Sequence, residues 1–213
     1  MVKINLELDL FKDNIRLMGS RVYKMHEDAL LALKTADKDI ALAIIEMDEY
    51  VNNDEESINR RALEVLALLA PVASDLRIII AGIKIASDLE RIGDYAKNIA
   101  RFVLKNNPIS EIHMELIEKV YLNFMDFYVK TIEAYENRLS TLAMELPKMD
   151  DVSDQALREL FFNLEKTEPN HMNTITIITI VGMARNIERA GDHTKNICEQ
   201  IIYEATGQHY DFG

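Results

Sequence analysis

Two segments of this chain are copies of one another. Leu89-Glu90-Arg91-Ile92-Gly93-Asp94-Tyr95-Ala96-Lys97-Asn98-Ile99-Ala100 aligns with Ile187-Glu188-Arg189-Ala190-Gly191-Asp192-His193-Thr194-Lys195-Asn196-Ile197-Cys198, 98 residues further on, and seven of the twelve positions are identical. A match that keeps Glu, Arg, Gly, Asp, Lys, Asn and Ile in one register exceeds what shared helical composition produces, so the chain is a duplication. Whatever fold the first half adopts, the second must adopt again.

The spacing of apolar residues says what that fold is. Leu10, Leu17, Met18, Val22, Met25, Ala29 and Ala32 recur at helical intervals before the break at Thr35-Ala36-Asp37. Ile40, Ile44, Ile45, Val51, Ile58, Leu63, Leu66 and Leu69 continue the pattern until Pro71, predicting a second helix over 38–70, loosened near Asn52-Asn53-Asp54. Ser74 reads as the N-cap of a third helix running to about Lys105. Ser110 caps a fourth that reaches about Met144 and stops at Pro147, and a shorter fifth covers 150–166. After a turn at Glu168-Pro169-Asn170, a sixth helix spans 173–206 before Gly207.

Thr174-Ile175-Thr176-Ile177-Ile178-Thr179-Ile180-Val181 alternates like a strand, but its counterpart from Leu76 opens a helix, so it too is read as helix. The expectation is an all-α protein of two tandem, pseudo-symmetric antiparallel three-helix bundles, residues 1–107 and 108–213. With 48% apolar residues, only 7 Gly and 4 Pro, the composition suits it.

The formal net charge of −12, without any block of positive charge, argues against nucleic acid as a partner. A single cysteine, Cys198, fits a reducing compartment and a place in the core. The N-terminus intersperses Lys3, Glu7, Asp9, Lys12 and Asp13 among apolar residues, unlike a signal peptide, and the run from Val65 to Ala73 is too short to span a bilayer. A cytoplasmic location is expected.

On a helical wheel Ile78, Ile85, Leu89, Ile92, Ala96, Ile99 and Val103 form one stripe, with Glu90 and Asp94 nearly opposite. Carboxylates four residues apart repel across one turn, yet the duplication keeps the pair twice, as Glu90/Asp94 and Glu188/Asp192. Such pairs can converge on a hard cation. They can equally form a solvated face neutralised by Arg91 and Lys97. Asp48, Asn52, Glu55 and Asn59 share a stripe of the second helix that can meet Glu90 and Asp94, and Asp150 and Asp154 again stand four apart.

Gly93 and Gly191, between the carboxylates, imply either tight helix packing or close approach of a ligand. His193 can reach a metal beside Asp192 or lie at the surface. The one Glu-x-x-His string, Glu168 to His171, sits in the proline turn, which disfavours a di-iron oxidase. No phosphate loop, nucleophile elbow or zinc pattern occurs.

The chain resembles the PhoU family in Pro71-Val72-Ala73-Ser74-Asp75-Leu76-Arg77, in both Glu-Arg-x-Gly-Asp strings, and in the closing run from Asn196-Ile197-Cys198-Glu199 to Gly207. The resemblance implies six helices in two bundles, no catalytic residues, and negative control of phosphate uptake and of the phosphate-starvation response. It implies two partners, the ATP-binding subunit of the phosphate ABC transporter and a phosphate-responsive sensor histidine kinase, and leaves homodimerisation open. It further implies metal ions on Glu90, Asp94, Glu188 and Asp192, with Asp48 from the second helix. Iron, zinc, manganese and magnesium all remain open as the ion.

In the second half the acidic partner is displaced by Leu146-Pro147, and Asp150 or Asp154 is expected to substitute. Arg91 and Arg189 are expected to position carboxylates or contact a partner. Read without the resemblance, the acidic stripes also suit a carboxylate-bridged metal enzyme or metal store.

Overall fold

The computed structural model describes residues 2–166 and 174–212, and these are helical almost throughout, without a strand among them. The helices are α1 (Val2–Thr35), α2 (Lys38–Leu68), α3 (Ala73–Lys105), α4 (Glu111–Glu136), α5 (Ser140–Glu145), α6 (Asp150–Lys166) and α7 (Thr174–Thr206), with a 3-10 turn at Leu146–Met149 between α5 and α6. Helices α1, α2 and α3 pack on one another as the first bundle. In the second bundle α4, the bent rod α5–α6, and α7 repeat that arrangement, and the halves meet along α3 with α7 and α1 with α4.

Local chemistry sets the ends. Ala36 turns left-handed at φ 54° after α1, and Asp37 Oδ1 accepts the N–H groups of Asp39 and Ile40 to open α2. Helix α2 continues unbroken through Asn52-Asn53-Asp54, where Asp54 takes a 2.8 Å bond from Arg21 Nε of α1. The loosening expected there does not occur. Ser74 is not the cap of α3, because the helix starts at Ala73 and the Asp75 carboxylate reaches back to the Val72 N–H at 3.1 Å.

The fourth helix ends earlier than the sequence suggests. It stops at Glu136, and the chain reverses through Asn137 and Arg138, the latter at φ 56°, with the Leu139 N–H bonded to Ala134 O at 2.8 Å. The fifth rod therefore begins at Ser140, and Pro147 bends it inside the 3-10 turn rather than ending α4. Expected residues 150–166 of the fifth helix coincide with α6. The β-branched run from Thr174 is helical, as its repeat partner implied. The Glu168–His171 string lies outside the described residues.

One continuous core joins both halves, from Phe11, Met18 and Met25 of α1 to Tyr121, Phe124 and Phe127 of α4, with Cys198 inside it. His26 is wholly buried at the seam, its Nδ1 2.8 Å from the Tyr121 hydroxyl and its Nε2 2.9 Å from Ile92 O. No described helix is long and apolar enough to cross a membrane.

Candidate cation centres

Helix α3 buries a wider arc than its large apolar residues mark. Ala81, Gly82, Ala86, Gly93 and Ala100 are buried as well, Gly82 against Phe11 and Ile15 of α1 and Gly93 against Val51 of α2 and Met25 of α1, and α7 packs along the same helix. Small residues permit that approach and carry little signal on a wheel. Glu90 and Asp94 consequently lie on the shoulder of the buried arc, half-buried beside α2, rather than opposite it.

There they meet Asp48, which is itself buried on α2. Lys97 binds both helices at once: its Nζ stands 2.6 Å from Asp48 Oδ2 and 2.7 Å from Asp94 Oδ1. Arg91 sits outside, 3.4 Å from Asp94 Oδ2 and 3.5 Å from Glu90 Oε2, and Asn52 Nδ2 reaches Asp48 at 3.4 Å. Burial alone would lower the Lys97 pKa, but its bonds to Asp48 and Asp94 outweigh that and hold the ammonium above its ordinary value. Burial, followed by the charge of Asp94, raises the Glu90 carboxyl, with Glu55 and Asp48 adding to the effect.

The second half builds the same unit from different chain positions. Asp150, buried at the start of α6, accepts from Lys195 Nζ at 3.0 Å, and Lys195 also lies 3.1 Å from Asp192 Oδ1. Asp150 thus takes the place of Asp48, while Asp154 acts on the cluster only through its charge. Burial and then Asp192 raise Glu188, opposed by the charge of Arg185. Arg189 is exposed and makes no ion pair among the described residues. This half is the more open, with Asp192 54% exposed against 27% for Asp94.

The two glycines serve different ends. A Cβ on Gly191 would stand 2.8 Å from Asp150 Oδ1, so its absence lets the carboxylate lie against α7. A Cβ on Gly93 would meet Val51 and Met25 at ordinary contact distance, which makes that position one of helix packing.

His193 belongs to neither cluster. Its Nδ1 lies 2.8 Å from Asp88 Oδ1, which also accepts from Asn196 Nδ2 at 3.1 Å, and its ring lies 5.7 Å from that of Tyr95. These contacts tie α3 to α7. Asp88 did not stand out in the sequence because its repeat partner is Asn186, so the duplication gave it no emphasis. Lys195 was equally overlooked, although Lys-Asn recurs in both copies.

The donors of each cluster are hard carboxylate oxygens, suited in kind to Mg²⁺, Mn²⁺ or iron. Among the described residues no three carboxylate, imidazole or thiol groups converge on a point as they stand. In each cluster the position between the two aspartates is taken by an ammonium. The residues fit a metal ion in donor chemistry, provided the lysine gives way.

The model of the PhoU domain family matches residues 15–103 and again 125–201, one match to each bundle. The chain belongs to the PhoU family. A phosphate-specific transport system accessory protein PhoU homolog of Clostridium acetobutylicum is 31% identical over 212 residues, covering 96% of this chain and 95% of the relative. The crystal structure of the phosphate transport system regulatory protein PhoU from Streptococcus pneumoniae superposes with a TM-score of 0.90 at 28% identity, covering 98% of this chain and 100% of that one. That of PhoU from Pseudomonas aeruginosa gives 0.85 at 30% identity, over 96% and 99%. The two-bundle PhoU architecture is thus the fold of the whole described chain.

Proposed function

We propose that this chain is a regulatory accessory protein of phosphate transport that works as a cytoplasmic adaptor. It bridges the ATP-binding subunit of the phosphate ABC transporter and a phosphate-responsive sensor histidine kinase, and keeps the kinase in its non-signalling state when phosphate is plentiful. The observation that carries this reading is end-to-end likeness to proteins named for accessory and regulatory roles in phosphate-specific transport. Deleting the gene should derepress phosphate-responsive transcription in phosphate-rich medium; unchanged transcription and uptake would refute the adaptor.

Metal binding enters the same proposal as an exchange. Asp48, Glu90 and Asp94 in one half, and Asp150, Glu188 and Asp192 in the other, would hold an ion when Lys97 or Lys195 swings out. The ion would supply a stronger counter-charge to the clusters, in which burial already raises the carboxyls of Glu90, Asp150 and Glu188. Arg91 and Arg189, exposed beside the clusters, are the proposed partner contacts.

A further inference from the structure

At the seam between the bundles α1 and α4 run antiparallel, and the groove between them opens into a cavity at each end. At one end Gly19, Tyr23, Val129, Ile132, Glu133 and Glu136 are among the residues around a space of about 460 Å³. At the other, Lys34, Ile109, Glu111, Met114, Glu115 and Glu118 line about 360 Å³. Two contacts fix the pairing of the helices: Lys34 lies 2.7 Å from Glu118, and the Tyr128 hydroxyl donates to Gly19 O at 2.8 Å. Gly19 keeps the first cavity open, since a Cβ there would stand 3.3 Å from Ile132 Cδ1. The cavities belong to one groove. Counted at 3.6 residues per turn, Leu122 falls on the stripe of α4 that carries Glu115, Glu118, Val129 and Glu133, between the two ends. Leu122 is 52% exposed and Val129 43%, so the middle of the groove offers apolar surface to solvent.

Charge and length say what fits. Glu111, Glu115, Glu133 and Glu136 make no ion pair among the described residues. Lys34, the one basic residue in the lining of either cavity, is taken by Glu118. The groove therefore has an apolar middle and unanswered carboxylates at both ends, a pattern that attracts an apolar body carrying positive charge and repels an anionic membrane. Glu115 and Glu133 stand eighteen residues apart, about 27 Å along α4, which is further than one small ligand reaches and equals about five turns of helix. A groove between two packed helices takes a third by its side chains at i, i+3, i+4 and i+7. A second copy of this chain does not supply such a helix, because a sequence of net charge −12 holds no block of positive charge.

We infer that the α1–α4 groove is a docking surface for a basic amphipathic helix of another protein. Its apolar face lies against Tyr23, Leu122 and Val129, and Lys or Arg near each end answers Glu111 with Glu115 and Glu133 with Glu136. The inference uses neither Arg91 nor Arg189, and it depends neither on the adaptor reading nor on metal.

Fluorescence anisotropy tests it by titrating the full chain, at physiological ionic strength, into a labelled helical peptide of about twenty residues with Leu along one face and Lys near both ends. Saturable binding is expected, weakened at least about tenfold when the same residues are shuffled so that no apolar face forms. Glu133→Lys with Glu136→Lys should weaken it at least about tenfold. Glu64→Lys with Glu165→Lys changes the net charge equally at exposed positions of α2 and α6, and should weaken it less than about twofold. Leu122→Ser leaves the charge untouched and should weaken binding about fivefold, with circular dichroism checking that each variant folds. No saturable binding, equal binding of the shuffled peptide, or equal losses in the two charge-reversal pairs would overturn the groove. Undiminished binding by Leu122→Ser would do so too, whatever becomes of the reversals. Sedimentation of the chain with phosphatidylglycerol vesicles, lost in Leu122→Ser, would assign this face to lipid and overturn the helix as its occupant.

Discussion

The Lys97 ammonium lies 2.6 Å from Asp48 Oδ2, joining α3 to α2, and Lys195 repeats the contact with Asp150 in the other half at 3.0 Å. Each lysine holds a second aspartate from its own helix, three residues earlier. Both partners of the first pair are largely shielded, with Lys97 15% and Asp48 8% exposed, so the contact is not a solvated surface pair. It is the resident cation of the cluster.

Removing that cation should be strongly felt. Lys97→Met leaves Asp48 and Asp94 facing each other half-buried, and breaking such a pair costs about 3 kcal/mol in urea denaturation. Adding Asp48→Asn to it should recover part of the loss, giving a coupling in a double-mutant cycle. Mn²⁺ should stabilise Lys97→Met more than wild type, since the metal no longer competes with an ammonium; equal stabilisation would remove the exchange idea.

Alanine at the two repeated glycines should act with opposite signs. Gly191→Ala drives a methyl group against Asp150 and should destabilise by about 2 kcal/mol through overpacking. Gly93→Ala meets only ordinary contacts and should gain up to about 1 kcal/mol from helix propensity. Chemical denaturation of both variants settles the comparison, and matching effects would show that the glycines share one role.

Acid should weaken the fold through His26. Burial pushes its pKa down to about 4, against 6.5 for the unfolded chain. Between these values the unfolded state binds the proton and the folded state does not, so stability falls as pH drops from about 6.5 toward 4 and then levels off. The full difference amounts to about 3 kcal/mol. The raised carboxyls of Glu90, Asp150 and Glu188 act in the opposite sense, gaining stability as they protonate. The His26 contribution is therefore the difference between the pH profiles of wild type and His26→Gln; parallel profiles would refute it.

The seam between the halves should depend on Asp88. Asp88→Ala strands both His193 and Asn196, which should cost about 2 kcal/mol in denaturation experiments. His193→Phe together with Asp88→Ala should cost less than the two changes summed. Strict additivity would show that the contact is not coupled.

The sequence disclosed the fold through repetition rather than propensity. The alternating Thr174–Val181 run is strand-like on its own, and only its register with Leu76 made it a helix. The reversal at Asn137-Arg138 was not legible because neither Gly nor Pro marks it, and the apolar spacing continues across it. Pro147 consequently took the blame for a helix end that lies earlier. At the site, carboxylate spacing pointed to Glu90, Asp94, Glu188 and Asp192, and left Asp150 and Asp154 as alternatives for the second partner. It could not show that lysines of the same strings bridge to the neighbouring helix, because that depends on how α2 and α6 are placed. Nor could it show the Tyr135 hydroxyl buried without a hydrogen-bond partner, since that depends on how α4 packs against its neighbours.

Most direct for the regulatory reading is a titration of the transporter's ATP-binding subunit with the purified chain. A saturable complex is expected, weakened when Arg91→Ala and Arg189→Ala are combined while the fold, by circular dichroism, is unchanged. Absence of a complex at any phosphate concentration would contradict the adaptor role.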